Sequence, residues 1–300
     1  MHACAQSHST DMSVVTTGLP SRVGHTLTVG DIVAHLNAKW PATHAEVWDK
    51  TGLLVGDPNQ EVTKVCVALD VTLDAIKKAA DEGAQMLLTH HPAFLKLNRV
   101  VSDPLQDVAG AMVYEAVSRG VALVNYHTAL DMAPEAFTML SSMLHAEFEQ
   151  VLLPTQDIKG GITLGYGQVA SFSPDDAQTL STLAARCMSV FGATPRVWAS
   201  TVCDDSILRI ATWTGSLDES AVNACLNLRI PVLICGEIKY HTALDAQQKG
   251  LSIIELGHDV SENPYVVVLA QALCNCGVPT DAISIISRDP HWYNPETRRV

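Results

Sequence analysis

VTKVCVALDVTLDAIKKAADEGAQMLLTHHP, residues 62–92, has the pattern that most clearly indicates the fold class of this chain. It contains an unbroken apolar run, then an amphipathic segment that ends at Gly83, and then a second apolar run that leads into His90 and His91. Unbroken apolar strands on either side of a helix are typical of a parallel sheet that is covered on both faces. The stretch therefore predicts a strand–helix–strand unit of an α/β fold.

The same alternation continues on both sides of this stretch. Helices are predicted over 27–41 and 105–120, and a further strand is predicted over 121–127. A turn-rich and then strand-like segment at 150–168 separates this pattern from a second one. The second pattern predicts strands over 206–215, 231–236 and 251–257, and helices over 176–192, 217–229, 240–250 and from about Ser261 onward. Two similar α/β units with mainly parallel sheets are therefore expected.

The predicted boundaries follow from these patterns. Residues 1–26 are polar and small, without the basic and apolar regions of a secretory signal, and are expected to be a flexible leader. The first α/β unit is expected over 27–150 and the second over 151–300.

Composition restricts the classes of function. The chain is 47% hydrophobic and 17% charged, as in ordinary globular proteins, and its formal net charge is −13. This charge opposes binding to nucleic-acid phosphates or to an anionic membrane surface. No apolar run approaches the roughly 20 residues of a membrane span, and the cysteines lie mostly in apolar runs where free thiols pack. We therefore expect a cytoplasmic protein that binds neither nucleic acid nor membrane.

Three histidine-containing stretches each follow a predicted strand. Ligands of parallel sheets bind just beyond the carboxyl ends of the strands, so these positions are candidates for a binding site. The stretches are THHP with His90 and His91, NYHTALD with His127 and Asp131, and LGHDVSE with His258 and Glu262.

Two of these histidines precede a carboxylate by four residues, namely His127 before Asp131 and His258 before Glu262. On a helix, this spacing places both side chains on one face. Alternatively, Ser261 caps the last helix and Glu262 lies in its first turn, where the helix dipole favours a carboxylate. The sequence leaves both geometries open.

Imidazoles mixed with carboxylates suit Zn, Fe, Mn, Co or Ni. Four histidines and two carboxylates exceed the needs of one tetrahedral zinc, and they suit two ions held roughly 3.5–4 Å apart. Pro92 restricts His91 to extended conformations and breaks the pleat, so that both neighbouring imidazoles can turn toward one cleft. Against this, a single buried histidine is more often a hydrogen-bonded core residue. The residues alone leave both interpretations open.

The order of several motifs resembles a known family. WDKTGLLVGD (48–57), LLTHHP, NYHTALD, CGEIKYH (235–241) and LGHDVSE occur as in the GTP cyclohydrolase 1 type 2 homologues, also called NIF-three-like proteins. The resemblance covers nearly the whole chain after the leader. It implies a metal cleft between two intertwined α/β units, completed by the C-terminal part of the second unit, within a homohexameric ring.

The resemblance also implies a ligand set. Two divalent ions per chain would be held by five side chains, with Asp131 or Glu262 spanning both ions and His127 either binding an ion or lying directly behind the ligands. The five implied ligands are His90, His91, Asp131, His258 and Glu262. Cys235 replaces the usual threonine of this family, and we expect a small packing residue there rather than an additional ligand.

The function implied is that of a metal-dependent hydrolase acting on a small molecule, either a nucleotide or a phosphoester. Glu237 and His241 are the candidate catalytic residues, while Trp48 and Asp49 are expected to shape the cleft entrance. The family name suggests opening of the GTP purine ring, but no motif specifies guanine. The alternative is a non-catalytic metal-binding scaffold or regulatory ring that binds protein partners.

Overall fold

The computed structural model describes residues 26–158, 162–200 and 206–287. The predicted leader therefore lies, except for Thr26, outside the described residues. The helices are α1 (Val29–Lys39), α2 (Leu73–Asp81), α3 (Val108–Arg119), α4 (Thr128–Asp131), α5 (Pro134–Phe137), α6 (Met139–Met143), α7 (Leu180–Phe191), α8 (Glu219–Asn227), α9 (Tyr240–Gln248), α10 (His258–Glu262) and α11 (Tyr265–Cys276). The strands are β1 (Gly52–Val55), β2 (Val65–Ala68), β3 (Met86–Thr89), β4 (Ala122–Asn125), β5 (Glu147–Ile158), β6 (Ile162–Ser171), β7 (Arg196–Trp198), β8 (Arg209–Ser216), β9 (Val232–Glu237), β10 (Ser252–Glu255) and β11 (Ile283–Ile285).

The stretch 62–92 folds as predicted. The four residues of β2 and the four of β3 are all buried, and the two strands pair in parallel. Between them, α2 begins after Thr72, whose hydroxyl oxygen accepts a hydrogen bond from the backbone N–H of Ala75. This cap satisfies one of the free donors at the helix start. The buried residues of α2 are Ala75, Ile76 and Ala79, which cover the sheet.

The first sheet has the strand order β1-β4-β3-β2-β11, and all pairs except β1–β4 are parallel. The last strand, β11, comes from the end of the described chain and pairs with β2. Helix α11 packs beside α1 in the same core, which contains the fully buried rings of Trp40, Tyr126 and Tyr265. The chain therefore returns to the first sheet after forming the second, as expected for intertwined units. The predicted division at residue 150 stays a prediction.

The second sheet has the order β5-β6-β8-β9-β10-β7. Its central strands β8, β9 and β10 are parallel, whereas β5, β6 and β7 add antiparallel pairs on either side. The predicted mixed α/β fold with mainly parallel sheets is confirmed. The segment 150–168 differs from expectation, because β5 and β6 form a long hairpin where turns were predicted before the strand.

The start of the final helix also differs from the sequence prediction. The chain forms the short helix α10 directly after Gly257, and α11 follows α10. Gly257 has a φ of 110°, a value that glycine adopts without the steric strain of other residues. Ser261 lies within α10 and does not cap a helix. Its hydroxyl oxygen accepts from the N–H of Gly215 at 2.9 Å and donates to the carbonyl of His258 at 2.8 Å. The same-face geometry is therefore the one observed for His258 and Glu262.

The predictions about membrane spans and cysteines can be compared with the described residues only. Within the described ranges, no helix combines the length and the apolar character needed to cross a membrane. The cysteines in these ranges are free thiols, namely Cys66, Cys187, Cys225, Cys235, Cys274 and Cys276.

Candidate metal centre

His90 and His91 follow β3 directly, and their rings lie side by side with centroids 5.0 Å apart. The strand ends at Thr89, so the pleat no longer forces the two side chains to opposite faces. The N–H of His91 donates to the carbonyl of Leu69, and the hydroxyl of Thr89 donates to the carbonyl of His91. These bonds fix the backbone in a turn that directs both imidazoles toward one site, as the sequence predicts.

The end of the neighbouring strand β4 supplies His127, which directly precedes the short helix α4, and Asp131, which is the last residue of that helix. Buried Asp49 fastens this helix, since its carboxylate accepts from His127 Nδ1 at 3.0 Å and from the N–H of Thr128 at 3.0 Å. The ring of Trp48 lies edge-on to His127, with centroids 5.9 Å apart. The loop that carries Trp48 and Asp49 thus shapes one wall of the site.

The second sheet supplies His258 and Glu262 through α10. Glu262 is almost fully buried, and it fits because Gly215 lies against it. A Cβ at Gly215 would come within 2.2 Å of Glu262 Oε1, and the φ of 63° at Gly215 also disfavours other residues. The glycine therefore creates the space that the carboxylate occupies.

Glu262 divides the donor atoms into two sets. Its Oε2 lies 3.0 Å from His91 Nε2 and 3.1 Å from His258 Nε2, while its Oε1 lies 3.9 Å from His90 Nε2. His90 Nε2 in turn lies 3.4 Å from Asp131 Oδ1. We call His91, His258 and Glu262 the outer half of the site, and His90, Asp131 and Glu262 the inner half.

Each half offers three donor atoms within 4.8 Å of one another, as a metal ion requires. His127 joins only a third group, which it forms with His90 and His91 and which contains no carboxylate. The predicted metal-binding residues are therefore brought together, with His127 at one side of the site.

The hydrogen bonds of the imidazoles fix which ring nitrogen faces the site. Nδ1 of His90 contacts the carbonyl of Tyr126 at 3.0 Å, and the Nδ1 atoms of the other histidines contact carboxylates. Because all these partners are acceptors, each Nδ1 carries the hydrogen in the neutral ring, and each Nε2 presents a lone pair. The carboxylate pairs are His91 with Asp70 at 2.7 Å, His127 with Asp49 at 3.0 Å and His258 with Glu237 at 3.3 Å.

Three buried atoms of the site lack a hydrogen-bond partner among the described residues: His90 Nε2, Asp131 Oδ1 and Glu262 Oε2. Leaving such a group unsatisfied costs about 1–3 kcal/mol. In the neutral rings, the lone pairs of His91 and His258 point toward Glu262 Oε2, so acceptors face acceptors and a positive charge between them is needed. The residues therefore fit a divalent cation in each half.

The pKa values of His90, His91 and Asp131 are shifted by burial and by neighbouring charges. Burial acts to lower the pKa of His91, but the Asp70 and Glu262 carboxylates outweigh burial and raise it to about 10. Burial lowers the pKa of His90 to about 3. Burial also raises the pKa of Asp131 to about 7, and the neighbouring Glu262 carboxylate acts in the same direction. A proton on His91 thus partly replaces a cation, and metal binding must displace it.

A cleft of about 780 Å³ opens beside the outer half. His90 and Asp131 do not line it. Arg196 lines it and forms an ion pair with Glu255 at 3.1 Å. The residues that line the cleft are Asp70, His91, Thr194, Pro195, Arg196, Gly236, Glu237, Glu255, Leu256, Gly257, His258 and Asp259.

The two predicted catalytic residues lie in different environments. Glu237 is exposed in the cleft, where its Oε2 contacts His258 Nδ1. His241 is exposed on α9, with its ring against Tyr240, and it neither lines the cleft nor joins a candidate metal group. Cys235 is buried in the core of the second sheet, outside the candidate metal groups of the described residues. This location agrees with its expected packing role.

Sequence reasoning missed two residues of the site. Asp70 follows the end of β2, and a carboxylate directly after an apolar strand is a signal that would have identified it. Tyr265 stacks on His90 with ring centroids 4.5 Å apart, and its hydroxyl lies 3.1 Å from that of Thr214. No local pattern marks Tyr265, because its contact depends on the packing of α11 against the first sheet.

With this geometry established, the chain can be compared with known families. Residues 27–289 match the sequence model of Duf34/NIF3, described as NGG1p interacting factor 3. The chain belongs to the Duf34/NIF3 family. The resemblance recognised from the motifs is therefore confirmed, and it extends over both α/β sheets.

Individual Duf34/NIF3 relatives are similar along most of their length. A protein of Streptomyces coelicolor named GTP cyclohydrolase 1 type 2 homolog is 26% identical over 239 residues, which are 79% of this chain and 82% of that protein. A Campylobacter jejuni protein of the same name is 26% identical over 268 residues, 88% of this chain and 99% of that one. The crystal structure of a Bacillus cereus protein related to NIF3 has a TM-score of 0.78 at 18% identity, covering 90% of this chain and 100% of that chain. This last likeness shows the shared fold.

Proposed function

We propose that the protein binds two divalent metal ions per chain and acts as a metal-dependent hydrolase on a nucleotide or another phosphoester. The observation that carries this proposal is the sharing of Glu262 between two donor sets, together with buried nitrogen and oxygen atoms that lack hydrogen-bond partners. A single structural zinc site would need neither the shared carboxylate nor a second set.

In this proposal, each half of the site holds one ion. His91 and His258 bind in the outer half, His90 and Asp131 bind in the inner half, and Glu262 spans both. His127 lies behind or beside the ligands, held by Asp49. Imidazole and carboxylate donors together suit Zn, Fe, Mn, Co or Ni.

When bound, two such ions polarise a phosphoryl or carbonyl oxygen and lower the pKa of a water molecule. The chain's own residues orient this chemistry. Asp70 and Glu237 hold the Nδ1 hydrogens of the outer imidazoles and so keep each Nε2 directed into the site. Glu237 is proposed to accept a proton during hydrolysis, since it is exposed and lines the cleft. A role for His241 stays a prediction without a contact to the site.

The substrate is proposed from the cleft. A volume of about 780 Å³ accommodates a molecule of nucleotide size, and Arg196, which lines the cleft, offers a guanidinium for a phosphate. Opening of the guanine ring has less support, because no motif of the sequence specifies guanine. Relatives carry the name GTP cyclohydrolase 1 type 2 homolog, which describes those proteins.

We also propose, from the family resemblance, that the protein assembles into a homohexameric ring in the cytoplasm. Large apolar side chains exposed along α3, namely Val108, Tyr114 and Val117, are consistent with a surface that another copy covers. Light scattering of the purified full chain tests this proposal. A mass much larger than that of a dimer is expected, and a clean monomer would contradict it.

Elemental analysis of natively purified protein tests the metal proposal. Close to two transition-metal ions per chain are expected. A value near zero that persists after incubation with Zn, Mn or Fe would contradict the proposal. Hydrolysis is tested next by supplying the metal-loaded protein with nucleotides and phosphoesters. Two bound ions without turnover of these compounds would favour the non-catalytic scaffold over the hydrolase.

A further inference from the structure

The cleft beside the candidate metal centre has acidic walls and one strongly basic side chain. Among the described residues that line it, Arg196 is the only lysine or arginine, whereas Asp70, Glu237, Glu255 and Asp259 contribute four carboxylates. We propose that Arg196 binds a second phosphate of the substrate, separate from the reacting one, so that the substrate is a phosphoester with two phosphates at some distance from each other. This inference rests on the proposed function, because it assigns the reacting phosphate to the metal centre.

Strand pairing places Arg196 in a part of the cleft that is distinct from the metal centre. Strand β7 runs antiparallel to β10, and Arg196 lies directly opposite Glu255. Residues opposite each other in such a pair have Cα atoms about 5 Å apart and side chains on the same face. From Glu255 the chain reaches His258 in three residues, which span at most about 11 Å. A ligand of moderate length therefore reaches from the metal centre to Arg196.

The carboxylate beside Arg196 is fixed by other contacts. The Glu255 side chain is only 12% exposed, and its Oε2 accepts a hydrogen bond from the indole N–H of Trp198 at 3.4 Å. The ring of Trp198 in turn packs edge-on against the ring of Tyr240, with centroids 5.6 Å apart. Glu255 therefore keeps its position when the guanidinium turns toward a ligand.

The guanidinium of Arg196 is available to a ligand. The side chain is 67% exposed, and its ion pair joins Nη1 to Glu255 Oε2 at 3.1 Å. A guanidinium carries five N–H donors in a planar fork that matches a phosphate, so an ion pair through one nitrogen leaves donors for a second anion. An ion pair at such an exposed position contributes little to stability, and a ligand can weaken it without disturbing the fold.

The acidic walls make Arg196 the selective position for the second phosphate. A phosphate placed near Glu237 or Asp259 would meet carboxylates of like charge and would be repelled. At Arg196 the same group meets a positive charge and a matching set of donors. A substrate with a single phosphate gains nothing from Arg196, because its phosphate lies at the metal centre. The cleft is therefore selective for compounds with two phosphates whose separation matches the distance from the metal centre to Arg196.

Binding of bisphosphonates, which phosphoester hydrolysis does not consume, tests this inference. The full chain loaded with Zn²⁺ is titrated in a calorimeter with alkane α,ω-bisphosphonates of increasing chain length, and with alkyl monophosphonates of the same lengths. Elemental analysis after each titration verifies that the metal has stayed on the protein. We expect one range of lengths in which the bisphosphonate binds about 10- to 100-fold more tightly than the monophosphonate.

Substitutions on the two sides of the ion pair should act in opposite directions. Arg196→Gln should abolish the advantage of the bisphosphonate and leave the affinity for the monophosphonate unchanged, and Arg196→Lys should restore part of the advantage. Glu255→Gln removes the anion that competes for the guanidinium, so it should tighten bisphosphonate binding by about 2- to 5-fold.

Arg209→Gln is the matched control, because Arg209 forms a similar ion pair with Glu149 at 2.7 Å but does not line the cleft. It should bind both kinds of phosphonate as the unmodified protein does. Equal affinity for the two kinds at every length would overturn the inference, and so would an advantage that persists in Arg196→Gln. If neither kind bound to the metal-loaded protein, the proposed function itself would be contradicted.

Discussion

His90 and His91 are neighbours in sequence, yet they belong to different environments. The His90 side chain is fully buried between Tyr265 and the end of β4, whereas the His91 side chain faces the cleft and pairs with Asp70. Both direct Nε2 toward Glu262. The inner and outer halves therefore contain two adjacent imidazoles that share the Glu262 carboxylate but differ in burial and in hydrogen-bond partner.

The difference arises from segments far away in the sequence. Tyr265, which covers His90, lies 175 positions after it in the numbering and enters the site only because α11 packs against the first sheet. Asp70, which orients His91, comes from the neighbouring parallel strand. Identical residue types thus acquire different accessibility and different partners through tertiary packing. Substitutions in the two halves should accordingly have separable effects.

The largest effect is expected where the halves meet. Glu262→Gln removes the negative charge that both donor sets share, so we expect the loss of both bound ions in elemental analysis of the purified protein. The substitution keeps the volume of the side chain, and Gly215 still provides room for it. Glu255→Gln should keep both ions. If Glu262→Gln retained two ions per chain, Glu262 would not span the halves.

A smaller effect, the loss of one ion, is expected from substitutions confined to one half. His258→Ala should leave a single equivalent that a chelator removes slowly, because the inner donors are intact. His90→Gln should also leave a single equivalent, but this one should exchange quickly through the cleft. Elemental analysis gives the number of ions, and stopped-flow release gives their rates. Equal release rates in the two variants would contradict the distinction between the halves.

The fold was predictable because its signals are local. Apolar runs predicted β2, β3 and β4, and the helix end predicted at Gly120 agrees with α3, which ends at Arg119. The hairpin of β5 and β6 was not predictable, because the glycines and the proline in that segment are typical of turns. The pairing of β11 with β2 could not be predicted either, because no local pattern shows which sheet a late strand joins.

The candidate site was predictable to the extent that strand ends converge. Histidines and carboxylates after apolar strands predicted residues that the structure brings together in both halves. Of the residues that make the halves different, Asp70 follows an apolar strand and could have been found from the sequence, whereas Tyr265 required the structure. Burial depends on which distant elements cover a position, and spacing along the chain carries no information about this. The sequence therefore indicated the composition of the site but not its asymmetry.

The smallest effect concerns the stability of the metal-free protein, and it again separates the halves. Without a cation, the inner half contains the Asp131 carboxyl beside Glu262 in a largely buried region, and burial raises the pKa of Asp131 to about 7. Asp131→Asn removes one of two adjacent buried negative charges. We therefore expect it to stabilise the chelator-treated protein by about 1–3 kcal/mol above pH 7, although it abolishes binding in the inner half. Denaturant unfolding with and without Zn²⁺ measures both changes.

Glu237→Gln, at an exposed carboxylate of the outer half, should not increase the free energy of unfolding of the metal-free protein. A similar increase in both variants would show that burial does not distinguish the halves.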